Sequence, residues 1–114
     1  MASTAITDPV LEDLAGVVWR LWKAADQAFV AAGAGGDLEQ DMLAIAARGA
    51  ACNGSALLGE HVQLCDRVAS TSSQPAQLVR EAEQVLATRP IEHWPAGTSS
   101  VIVEVCDLIR KHRL

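Results

Sequence analysis

From Leu11 to Ala32 apolar residues recur at intervals of three and four: Leu11, Leu14, Val18, Leu21, Ala25, Ala28 and Ala32. That spacing keeps them on one face of a helix. Ala15, Trp22 and Phe29 widen the face on one side, and Val10, Val17 and Ala24 on the other. A stripe this broad suits burial against two neighbours, or against a second copy of the chain, better than a two-stranded seam. Asp8 can accept hydrogen bonds from first-turn N–H groups, and Pro9 suits the first helical position. Glu12 and Asp13 complement the positive end of the helix dipole. Gly33, Gly35 and Gly36 supply the stop. The pattern predicts a first helix over about residues 9–32, after a flexible segment 1–8.

A second stripe reads Leu43, Ala47, Ala50, Gly54, Leu57, His61, Leu64 and Val68. Asp37 stands where an N-cap should, with Gln40 three residues on, as in a capping box. The unbroken register predicts one long helix over about residues 38–69. A break at Asn53-Gly54 is the competing reading, with Ser55 capping the next helix. Ser70–Gln74 is a polar loop. A third helix is expected over about 75–88, with Leu78, Ala82, Val85 and Leu86 inward. Arg89-Pro90 stops it, because a residue before proline avoids the helical region. RPIEHWPAG is a connector held by Pro90 and Pro95.

The last segment is ambiguous. Val101, Val103 and Val105 alternate as in a strand, but Ile102, Val105, Ile109 and His112 fit a helix, with Leu108 beside them. A lone strand has nothing to pair with, so a fourth helix is expected over about 100–112, with Thr98, Ser99 and Ser100 available as caps. RKHR then sits at the negative end of the dipole.

Composition agrees with an all-helical chain. Of 114 residues, 50% are hydrophobic and only 4% aromatic. Much of the apolar fraction is alanine, the best helix former. A domain of this length buries roughly two-thirds of its unfolded surface and folds without disulfides. The expectation is a single all-α domain over residues 1–114: a four-helix antiparallel bundle of two long and two shorter helices.

The net charge of −5 argues against nucleic acid as a partner. The RKHR end is more simply a dipole-complementing terminus than a phosphate contact, which leaves a DNA-associated regulator as the weakest reading. Three cysteines, Cys52, Cys65 and Cys106, with no CxxC, are not a secreted disulfide framework. No apolar run follows a basic start, so no signal peptide is expected, and no apolar run comes near the roughly 18 residues of a membrane span. These features predict a reduced, cytoplasmic chain without a membrane partner.

Little of the sequence carries chemistry. His61 and Cys65, four apart, share a helical face, but nothing nearby completes the four ligands of a structural zinc site. Cys52 lies more than two turns back, and Glu60 points away from His61. No histidine has a glutamate three residues before it, which excludes the di-iron bundle motif. Neither Cys52 nor Cys65 has an obvious base, and His93 lies in a loop. GAACNGSALLG lacks GK[ST] and GxGxxG, so it is no phosphate loop. No metal, cofactor or catalytic residue is expected.

Glycine inside a helix costs roughly 1 kcal/mol against alanine. Gly49 and Gly54 therefore point to a close crossing by helix 1 or helix 4, or to a ligand against exposed backbone. In the second case Gly49, Gly54, His61 and Cys65 would line a pocket between helices, the site of a small-molecule-binding accessory protein or minor enzyme.

Trp19 falls on the polar side of helix 1, near Glu12, Lys23 and Asp26. There it is either a free contact residue or covered by RPIEHWPAG or another helix. Trp94, between two prolines, is expected to plug the end of the bundle.

The C-terminal half, in LLGEHVQLCDRVAS, VREAEQVLATRP and VCDLIRKHRL, resembles a group of short all-helical actinobacterial proteins associated with natural-product gene clusters. That resemblance implies a bacterial context of secondary metabolism or its regulation, and supplies no catalytic residues. The leading expectation from the residues is a non-enzymatic interaction module. It would bind a protein partner, or itself as a homodimer, through helix 1. Trp19 and Trp22 would anchor the contact, and Arg20 and Lys23 would be rim charges.

Overall fold

The computed structural model describes residues 9–33, 36–59 and 74–114. They form four α-helices and no strand: α1 (Pro9–Ala32), α2 (Leu38–Leu58), α3 (Pro75–Leu86) and α4 (Thr98–His112). A single 3-10 turn, Ile91–His93, lies between α3 and α4. The flexible start expected over residues 1–8, and His61, Leu64, Cys65, Val68 and the loop from Ser70, lie outside the described residues.

α1 runs over the residues its pattern predicts and buries Leu14, Val17, Val18, Leu21, Ala24, Ala25, Ala28 and Ala32. The buried face leans toward Val17 and Ala24, and Phe29 is left exposed. α1 packs on two neighbours, α2 and α3, while α4 packs on the same two from the other side. Polar pairs set the direction of packing. Asp13 pairs with Arg89 and Arg20 with Glu81, so numbers rise along α1 as they fall toward and along α3. Across α2 and α4, Glu39 meets His112 and Asn53 meets Glu104.

At the start of α2, Asp37 accepts a hydrogen bond from the Gln40 N–H at 3.2 Å. The reciprocal half of the expected capping box is absent. The Asp37 N–H turns back to the Ala32 carbonyl, and Gln40 Oε1 is buried without a partner.

α2 passes through Asn53-Gly54 without a break but does not continue to residue 69. It ends at Leu58 because Gly59 adopts φ 67°, ψ −157°. That combination is open to glycine and closed to almost any other residue. The apolar periodicity carried the expected helix past this stop. Leu58 also replaces Leu57 as the buried leucine, and Leu57 lies against Gly97.

α3 ends two residues earlier than expected, where Thr88 Oγ1 donates to the Val85 carbonyl. Val79 is buried alongside Leu78, Ala82 and Leu86, and Val85 is only partly so. The last segment is a helix. Val101 and Val105, one turn apart, are buried, while Val103 between them is 59% exposed. It starts at Thr98, earlier than expected, and its N-cap is Gly97 at φ 95°, not a serine or threonine side chain. Thr98 is fully buried and donates its hydroxyl to the Pro95 carbonyl at 2.7 Å. Trp94 is buried, and its Nε1 donates to the Leu86 carbonyl at 3.2 Å, closing the end of α3 as the sequence suggests. Arg89 lies 5.3 Å from the Trp94 ring centroid and holds Asp13 of α1, which ties this corner to the first helix.

Candidate functional site

The four helix 1 residues expected to meet a partner do not form one free surface. Trp22 is half-buried on the α2 side and donates its Nε1 to Ser55 Oγ at 3.4 Å. Arg20 is on the α3 side. Its Nε donates to Glu81 at 3.1 Å, and another guanidinium nitrogen donates to the Gly16 carbonyl at 3.2 Å. Trp19 lies between them, half-buried against the core edge, with the Lys23 ammonium 4.8 Å from its ring centroid. An anchoring residue needs its apolar area free to be desolvated by the partner. Trp19, Trp22 and Arg20 have already spent much of theirs within the chain.

The two glycines singled out in α2 face different ways. Gly54 is buried at the crossing with α1: an added Cβ would stand 2.6 Å from Val18 Cγ2. Gly49 is exposed, and an added Cβ would meet nothing within 4 Å. They line no common pocket, and His61 and Cys65 lie outside the described residues. Between α3 and α4 there is an open groove of about 250 Å³ lined by Glu83, Leu86, Ala87, Ile102, Val105 and Cys106. It is almost wholly apolar and below the roughly 300–1,000 Å³ of ordinary ligand pockets. Among the described residues no three of His, Cys, Asp and Glu come together as metal ligands, and Cys52 and Cys106 are both exposed. No described helix is long and apolar enough to cross a membrane.

The unusual surface is on α2 and the adjoining end of α1. Phe29, Val30, Leu38, Met42 and Ile45 are 54–71% exposed. Leu38, Met42 and Ile45 are spaced by four and three, so they form one row. The row continues through Gly49, Cys52 and Ala56, all exposed. It lies opposite the buried row of Leu43, Ala47, Ala50 and Gly54. α2 is thus apolar on both sides, which a helix at the edge of a bundle has no internal reason to be. Phe29 follows Val18, Trp22 and Ala25 along the α1 row that meets α2, so it adjoins the same surface. The sequence carried this signal: Leu38, Met42 and Ile45 are as regular as the inward stripe, and α2 lacks a continuous polar face to set against it.

Comparison of the chain with family models, with curated proteins and with solved structures finds no match.

Proposed function

We propose that this protein is a non-enzymatic helical interaction module that self-associates through the exposed apolar surface of α2 and the end of α1. The observation that carries this is the group of four large apolar side chains, Phe29, Leu38, Met42 and Ile45, each more than half exposed. Large contiguous apolar patches on soluble chains mark contact surfaces. Full burial of one such side chain is favourable by about 1.5–3 kcal/mol. Association costs about 4–15 kcal/mol in lost freedom. These side chains are already partly buried in one chain, so each gains less than that, and several anchors per copy are needed to offset the cost. The mechanism is desolvation of this surface, with Asp41 and Arg48 at its border setting orientation. The helix 1 belt of Trp19, Trp22, Arg20 and Lys23 supports the fold from inside the chain. The wider setting, secondary metabolism in a bacterium, rests on the resemblance of the C-terminal half alone.

Light scattering over a range of concentrations tests this. The wild type should have a mass above that of the 12.0 kDa chain. Ile45→Glu should return it to the mass of one chain while its helical circular dichroism is kept. A wild type with the mass of one chain throughout, or an Ile45→Glu variant that associates as the wild type does, defeats the proposal.

A further inference from the structure

We infer that the occupant of the α2 outer face is α2 of a second copy, laid across it in the opposite direction about a two-fold axis at Ile45; this rests on the self-association proposed above. The inference comes from the symmetry of the face itself. In a two-fold pair every residue meets the partner residue equally far on the other side of the axis. When the two helices run oppositely, each edge of the face meets the same edge of its partner.

Ile45 on the axis would meet its own copy. Leu38, seven before it, would meet Cys52, seven after it. Met42, three before, would meet the neighbourhood of Gly49, four after. A long flexible side chain would then sit opposite a position with no side chain. That accounts for Gly49, which costs helix stability relative to alanine and which nothing inside the chain requires.

Charge gives the independent argument. Asp41 and Arg48 are both exposed and seven residues apart, two helical turns, so they lie on one edge of the face. They are also four before and three after Ile45. The pairing that stacks the apolar row on itself therefore brings each Asp41 to the partner's Arg48, twice per dimer. A helix pair running the same way would instead turn the Asp41–Arg48 edge toward the partner's other edge, where Glu39 and Asn53 lie, and would form no Asp41–Arg48 pair. The other edge is committed within the chain, because Glu39 meets His112 and Asn53 meets Glu104 on α4.

The test uses two charge variants of the full chain, Asp41→Arg and Arg48→Asp. Each alone makes both border pairs like-charged and should weaken self-association by about tenfold or more. Mixed one to one, they restore both pairs, acid to base, and should give a heterodimer at least as tight as the wild type. Native mass spectrometry, with one variant labelled with heavy nitrogen, reads this directly. A second check is Ile45→Cys in a chain with all three native cysteines changed to serine. A residue on the axis should form a symmetric disulfide and a covalent dimer on mild oxidation.

Heterodimer formation in the mixture together with the Ile45→Cys dimer supports the inference. If Ile45→Glu dissociates the wild-type assembly but the mixed variants form no excess heterodimer, the surface stands and the opposed geometry is wrong. If the wild type does not self-associate, or Ile45→Glu leaves its mass unchanged, the function proposed above and this geometry fall together.

Discussion

Val18 of α1 occupies the space that a side chain at residue 54 of α2 would need. A Cβ on Gly54 would lie 2.6 Å from Val18 Cγ2, closer than such atoms approach in practice. The two helices therefore meet backbone against side chain at this point. Gly54→Ala should destabilise the fold by about 1–3 kcal/mol through overpacking, although alanine is the better helix former by roughly 1 kcal/mol. Val18→Ala should relieve the clash. A urea-denaturation cycle on the two single variants and the double variant should show favourable coupling, and additive effects would refute the contact.

The other α2 glycine should behave in the opposite way. Gly49→Ala meets no atom within 4 Å and gains helix propensity. In an Ile45→Glu background, where association does not intervene, it should raise stability by about 0.5–1 kcal/mol, a rise of a few degrees in Tm for a domain of this size. A lower Tm would mean that Gly49 has a packing role within the chain.

Trp94 combines a buried ring with a buried hydrogen bond to the Leu86 carbonyl. The two contributions separate by substitution. Trp94→Ala removes both and should cost about 3–5 kcal/mol. Trp94→Phe keeps most of the ring and leaves the carbonyl unpaired, at about 1–3 kcal/mol. Chemical denaturation of both variants measures the difference. A Trp94→Phe variant as stable as the wild type would show that the hydrogen bond contributes nothing beyond the packing.

Trp19 is half-buried, with Lys23 against its ring. Trp19→Ala should leave the mass measured by light scattering unchanged and should cost about 1–2 kcal/mol of stability from lost packing and the cation–π contact. A change in mass at retained helicity would return the contact surface to α1.

Gly97 has both a positive φ of 95° and Leu57 in the way of a side chain, with Cδ2 2.7 Å from an added Cβ. Gly97→Ala should therefore destabilise by more than about 1 kcal/mol, and more than Gly36→Ala, whose added Cβ meets nothing. Thermal melts of the two variants compare them, and equal losses would rule out the Leu57 contact as a contributor.

Much of this fold was legible because its boundaries are chemical. Pro9 and Gly33 bracket α1, and Asp37 starts α2 with a side-chain cap. The end of α2 was not legible. Gly59 stops it by conformation, and glycine within an apolar stripe looks the same whether it bends the chain or packs a helix, as Gly54 does. The strand-like run Val101, Val103, Val105 resolves as a helix because only the outer two are buried. The pattern puts Trp19 on the polar side of α1, where it is half-buried, because periodicity gives an angle and not a degree of cover. The α2 outer row was missed for a related reason. Two apolar rows on one helix share the same period, so periodicity alone does not tell the inward row from the outward one. What distinguishes them is which side α1 and α4 take, and that is a property of tertiary contacts.

The chain has three tryptophans and no tyrosine. Trp22 is bonded across the seam between α1 and α2, and Trp94 closes the corner between α3 and α4. Each therefore makes a local optical reporter. Variants that keep only Trp22, or only Trp94, would follow the two halves separately by fluorescence during one denaturation. Coincident curves would mean that the hairpin and the corner unfold as a single cooperative unit, joined through Arg89–Asp13 and Arg20–Glu81; separated curves would identify the half that yields first.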